Sequence, residues 1–120
     1  MQINSWNYRG LGNLAKAEAV KYLLKTYPSD ILLLQETKIE EDSLLFLSKS
    51  KWKKNVGLAV SARASSGGLA TIWLEDIFHL KNSFRTQHWI YTELQRMPNN
   101  LIISLFNLYV PVYYVEKKIC

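Results

Sequence analysis

The chain has 120 residues, 48% hydrophobic and 21% charged, which gives one modest core and excludes an intrinsically disordered polypeptide. Fifteen Lys and Arg against ten Asp and Glu leave a charge of +5, a balance that suits a polyanionic partner without naming one. A single cysteine, the terminal Cys120, excludes a disulfide framework and a cysteine-rich metal site. With no three residues after it here, a prenylation box is not expected.

Residues 2–6 are short and mixed, with Ile3 and Trp6 apolar, and stop at Asn7 before Arg9-Gly10-Leu11-Gly12-Asn13, so they read as a strand and a loop. No basic flank leads into an apolar run here, so a signal peptide is not expected. From Ala15 the apolar spacing becomes helical through Ala19, Val20, Leu23 and Leu24, with Lys16, Lys21 and Lys25 between them. That helix is predicted to end by Tyr27, because the residue before Pro28 is disfavoured in the α region. Pro28-Ser29-Asp30 is a turn. Residues 31–34, Ile-Leu-Leu-Leu, read as a strand buried on both faces and are too short to span a bilayer.

Residues 40–50, carrying Leu44, Leu45 and Leu47, are predicted as a second helix. Residues 56–60 and 69–74 read as strands flanking a hairpin turn at Ser65-Ser66-Gly67-Gly68. Residues 78–84 and 89–95 alternate as strands do, Pro98-Asn99-Asn100 is a turn, and residues 101–109 form a long apolar strand ending at Pro111. Residues 113–119 begin what reads as a further helix. One strand–helix–strand–helix run followed by consecutive strands points to an α/β sandwich. Two helices cannot cover so many strands, and a second sheet or a partner is expected to complete the core. The exposed sheet edge and face also predict self-association.

The first two strands, joined by a helix, are expected to be parallel neighbours about 4.8 Å apart. Asn7 and Glu36 then emerge side by side at carboxyl strand ends, where α/β sheets commonly bind ligands. A carboxylate beside an amide suits magnesium, which takes one or two protein carboxylates and fills its other sites with water and phosphate oxygens. By itself, a Glu after an apolar strand is more often a solvated strand end or a helix-start residue than a metal ligand.

Four segments narrow the choice: Ser5-Trp6-Asn7-Tyr8-Arg9-Gly10-Leu11-Gly12-Asn13, Gln35-Glu36-Thr37-Lys38, Ser66-Gly67-Gly68-Leu69-Ala70 and Asn107-Leu108-Tyr109-Val110-Pro111. In this order they resemble the endonuclease/exonuclease/phosphatase superfamily over residues 1–111, with the endonuclease domain of LINE-type (non-LTR) retrotransposons and related plant proteins nearest. The resemblance implies the amino-terminal half of an α/β sandwich that cleaves phosphodiesters in DNA with magnesium, or manganese in its place. It implies Glu36 as the metal ligand, Asn7 beside the metal and scissile phosphate, and Tyr109 reaching the phosphate or its attacking water. No membrane partner is expected. The expected location is intracellular, with the nucleus admitted by a DNA substrate.

The sequence also departs from that pattern. Tyr8 stands where the retrotransposon pattern has a cysteine, and Val112 where many members place an asparagine. The family's later Gly-Asp-Phe-Asn-like and Ser-Asp-His-like motifs, which supply the Asp, Asn and His for acid–base work, do not occur in these 120 residues. Residues 1–120 therefore read as a truncated domain, inactive alone. The alternatives are a non-catalytic remnant that at most binds nucleic acid weakly, or part of a phosphoesterase that is not a nuclease. His79 and His88 have no acidic partner nearby in sequence and read as structural or surface histidines. Gly10 and Gly12 read as a tight strand–helix connection, since no P-loop or dinucleotide fingerprint is present. Lys49, Lys51, Lys53 and Lys54 around Trp52 fit a nucleic-acid grip and a solvated loop equally well.

Overall fold

A computed structural model describes residues 1–7, 22, 25–37, 54–61 and 67–108. The predicted second helix, the turn at Gly10 and Gly12, the lysines around Trp52 other than Lys54, Tyr109, the carboxyl-terminal helix and Cys120 lie outside the described residues. Seven strands are present: Ile3–Asn7 (β1), Ile31–Gln35 (β2), Asn55–Val60 (β3), Leu69–Leu74 (β4), Phe78–Arg85 (β5), Trp89–Arg96 (β6) and Leu101–Leu108 (β7). Tyr22, Lys25 and Thr26 are helical, and the helix stops before the Tyr27-Pro28 step that was expected to end it.

Two sheets share these strands. The first has the order β1-β2-β4-β3, and the second β5-β6-β7. β1 and β2 run parallel, Ile3 opposite Ile31 through Asn7 opposite Gln35. β4 is antiparallel to both β2 and β3, and the second sheet is antiparallel throughout. The expectation that a second sheet had to come from elsewhere is corrected: β5, β6 and β7 leave the first sheet and form the second within this chain.

The inner faces of the two sheets make the core. Ile31 and Leu33 of β2, Trp73 of β4, Phe78 of β5 and Leu94 of β6 form its buried centre, and Val56, Leu58, Ile77, Ile103 and Leu105 pack around them. A fully buried Leu, Ile or Phe of this kind contributes about 1.5–3 kcal/mol. Leu32 and Leu34 alternate to the opposite face of β2 and are buried too, as the unbroken aliphatic run required. Gly57 is needed for close strand approach, since a Cβ there would lie 2.7 Å from the Thr71 carbonyl oxygen.

β7 differs from its sequence reading. It is an edge strand among the described residues, and only alternate side chains turn inward. Ile102, Phe106 and Leu108 remain exposed on the outer face. There, Phe84, Tyr91 and Phe106 lie in register across the three strands. Phe84 stacks on Trp89 at 5.2 Å between ring centroids, and Tyr91 tilts onto Phe106 at 4.8 Å. Among the described residues no helix is long and apolar enough to cross a membrane.

Candidate active-site rim

The register brings the informative strand ends to one end of the sandwich. Parallel pairing puts the carboxyl ends of β1 and β2 together, and antiparallel pairing brings the start of β4 beside them. The second sheet contributes the end of β7, the start of β6 and the end of β5. Side chains staple the two sheets along this rim. Arg85 Nη1 donates to the Ala59 carbonyl at 2.8 Å, and Gln87 Nε2 to the Ser61 carbonyl at 3.4 Å.

Asn7 sits opposite Gln35, and Glu36 follows one residue later. The adjacency expected of Asn7 and Glu36 is thus present, offset by one residue along the strands. Asn7 is exposed, whereas Glu36 is only 8% exposed. Glu36 also holds a left-handed backbone, φ 52°, which is unfavourable for a residue with a Cβ. Its neighbour Thr37 is anchored by donating its N–H to the Gly68 carbonyl at 3.2 Å. Gly67 and Gly68 have φ of 83° and 96°, values that only glycine adopts readily, so the glycine pair in Ser66-Gly67-Gly68-Leu69-Ala70 shapes the contact that holds the strand end.

In the sequence Asn107 stands out only as the first residue of Asn107-Leu108-Tyr109-Val110-Pro111, and the structure gives it a place of its own. It is 1% exposed and reaches from the second sheet to the backbone of the first. Nδ2 donates to the Leu34 carbonyl at 3.2 Å, the Ala70 carbonyl at 2.8 Å and Thr71 Oγ1 at 3.3 Å. Oδ1 accepts from Gln35 Nε2 at 2.9 Å, and the same Gln35 amide donates to Ser5 Oγ at 2.9 Å. The available signal was parity: Ile103 and Leu105 mark the buried face of β7, and Asn107 falls on it. A buried amide requires partners.

The sequence profile of the Endonuclease/Exonuclease/phosphatase family matches residues 1–115. The chain belongs to this family. No curated protein matches it. Solved structures share the fold. The AP endonuclease LMAP from Leishmania major superposes with a TM-score of 0.62 at 18% identity, over 92% of this chain and 40% of that one. D. rerio TDP2, complexed with a single-strand DNA product, gives 0.62 at 16% identity, over 95% of this chain and 48% of that one. The human Nocturnin catalytic domain with a bound sulfate anion gives 0.64 at 16%, over 88% of this chain and 48% of that one. The chain thus spans less than half the length of each of these family-fold structures.

The rim residues fit the divalent cation used in the family. Glu36 would supply one hard carboxylate and Asn7, one register position away, an amide oxygen, while among the described residues no group of three or more His, Cys, Asp or Glu is gathered to hold a metal ion. The Thr37 hydroxyl beside them is 1% exposed and has no hydrogen-bond partner among the described residues, so polar capacity is left over at the rim. His79 and His88 are exposed, on β5 and in the turn before β6.

Proposed function

We propose that the rim is the metal-and-phosphate half of a phosphodiesterase site resembling that of a retrotransposon DNA-nicking endonuclease. The observation that supports this best is the pairing of Asn7 with Gln35, which sets a buried, backbone-strained Glu36 beside Asn7 at the carboxyl ends of two parallel strands. Strain of this kind costs about 1–3 kcal/mol and persists where the surroundings impose it, typically at functional sites. Glu36 holds a magnesium ion, with manganese able to replace it. Asn7 orients the phosphate by hydrogen bonding. Tyr109, two residues past the Asn107 anchor, is assigned the same phosphate or its attacking water. The cation, when bound, neutralises charge developing on the phosphoryl oxygens and the leaving oxygen.

DNA as substrate is supported by the charge of +5 and by the AP endonuclease and the DNA-bound TDP2 among the fold's relatives. A protein with this role works inside the cell, where the nucleus offers its substrate. Residues 1–120 carry no Gly-Asp-Phe-Asn-like or Ser-Asp-His-like motif, so the groups that activate water and protonate the leaving oxygen are not among them. We therefore infer that this chain by itself does not turn over.

Two measurements test the proposal. Isothermal titration with Mn2+ is expected to give a single site that Glu36→Gln removes, and equal binding by both proteins refutes the metal assignment. Purified chain is expected to leave supercoiled plasmid intact in magnesium. Nicking that vanishes in Glu36→Ala would overturn the inference that residues 1–120 do not turn over by themselves.

A further inference from the structure

We propose that Asn107 is a positioning residue whose buried amide dictates which atom Gln35 presents beside Asn7 and Glu36. The inference rests on the metal reading of the rim but begins from hydrogen bonding alone. The Leu34 and Ala70 carbonyl oxygens only accept, so the donating Nδ2 of Asn107 must face them. That leaves Oδ1 toward Gln35, where an acceptor can receive only the Nε2 amide hydrogens. The second of those hydrogens goes to Ser5 Oγ. Both Nε2 hydrogens are thereby spent, and the remaining polar atom of Gln35, Oε1, is purely an acceptor.

The consequence is chemical. Two backbone carbonyls in the core fix Asn107, and Asn107 fixes Gln35. Gln35, which pairs with Asn7 in the strand register and precedes Glu36, thus has only Oε1 left to offer, an acceptor rather than an N–H donor. An acceptor there suits the waters that a magnesium-type cation retains, whose hydrogens point outward. A donor there would oppose them. Supporting groups of this kind typically change metal affinity by about 10–100-fold when removed. Asn107 also ties the end of β7, and with it the segment leading to Tyr109, to the β2 and β4 backbones.

Asn107→Leu keeps the branched shape with somewhat more bulk and removes every hydrogen bond that Asn107 makes, leaving Gln35 only its bond to Ser5 Oγ. In 15N-labelled full chain, the Gln35 side-chain amide signals, assigned by their loss in Gln35→Glu, are expected to shift to values of a solvated glutamine. Mn2+ affinity is expected to fall about tenfold or more. Leu94→Ala, a core change away from the rim, controls for lost stability and is expected to leave both readouts unmoved. Unchanged Gln35 amide signals in Asn107→Leu, or an affinity loss no larger than that of Leu94→Ala, overturn the proposal. Should Asn107→Leu fail to fold, Gln35→Leu asks the same question from the half-buried end of the chain, and unchanged Mn2+ affinity there is equally fatal. If wild-type chain shows no Glu36-dependent Mn2+ site, the proposed function fails, while the Gln35 amide signals still decide whether Asn107 sets its orientation.

Discussion

Glu36 permits a direct test of whether the rim stores backbone strain. Its φ of 52° costs a residue with a Cβ about 1–2 kcal/mol, and glycine avoids that cost. Glycine loses about 0.4–1 kcal/mol relative to alanine through the greater freedom of its unfolded chain. Comparing Glu36→Gly with Glu36→Ala cancels the lost carboxylate, because both remove it. The difference between these terms makes the glycine variant the more stable by about 0.8 kcal/mol, or roughly 3–4 °C in Tm for a domain of this size. At Ala70, which sits in regular β4, the order reverses: Ala70→Gly is expected to lower Tm. Thermal melting followed by circular dichroism, with Mn2+ titration alongside, reads both effects. Both Glu36 variants should lose the metal site whatever their stability. An alanine variant as stable as glycine, or more so, would refute the strain and remove one reason for reading Glu36 as a functional residue.

Other consequences follow from the fold. Gly57→Ala should destabilise the chain by about 1–3 kcal/mol in urea unfolding, because the added Cβ meets the Thr71 carbonyl oxygen at 2.7 Å, a backbone atom of the neighbouring strand. The exposed outer face of the second sheet, with Ile102, Phe106 and Leu108 on its edge strand, should drive self-association. Sedimentation should therefore show Phe106→Lys moving toward monomer, and a wild-type chain already monomeric at tens of micromolar, on the order of typical working concentrations, would contradict this.

Much of the local architecture was legible. Residues 69–74 were bounded as the structure bounds them, because an apolar run between Gly68 and the polar Glu75-Asp76 pair leaves little freedom. The parallel pairing of β1 and β2 followed from the helical segment between them, which is too long for a hairpin. The separation of β5 from β4 was not legible. Only the turn at residues 75–77 divides these strands, and alternating patterns on both sides are compatible with one hairpin or with two sheets. What decides is whether Phe78 buries against the Trp73 face from across the core, a contact between sheets that local pattern does not encode. The apolar character of β7 likewise concealed its edge position, since hydrophobicity says nothing about which neighbours a strand finds.

The sequence by itself determined the strands, the family and the identities of the rim residues Asn7 and Glu36, because periodicity and motif order are properties of the chain. Tertiary structure alone decided that Asn107 meets Leu34 and Ala70, more than thirty residues away in each case, and that Glu36 is held in a left-handed backbone. The physical reason is that a hydrogen-bond partner for a buried amide is chosen by the packing of one sheet on another. Strain at a strand end, in turn, exists only when such packing holds the residues on both sides of it.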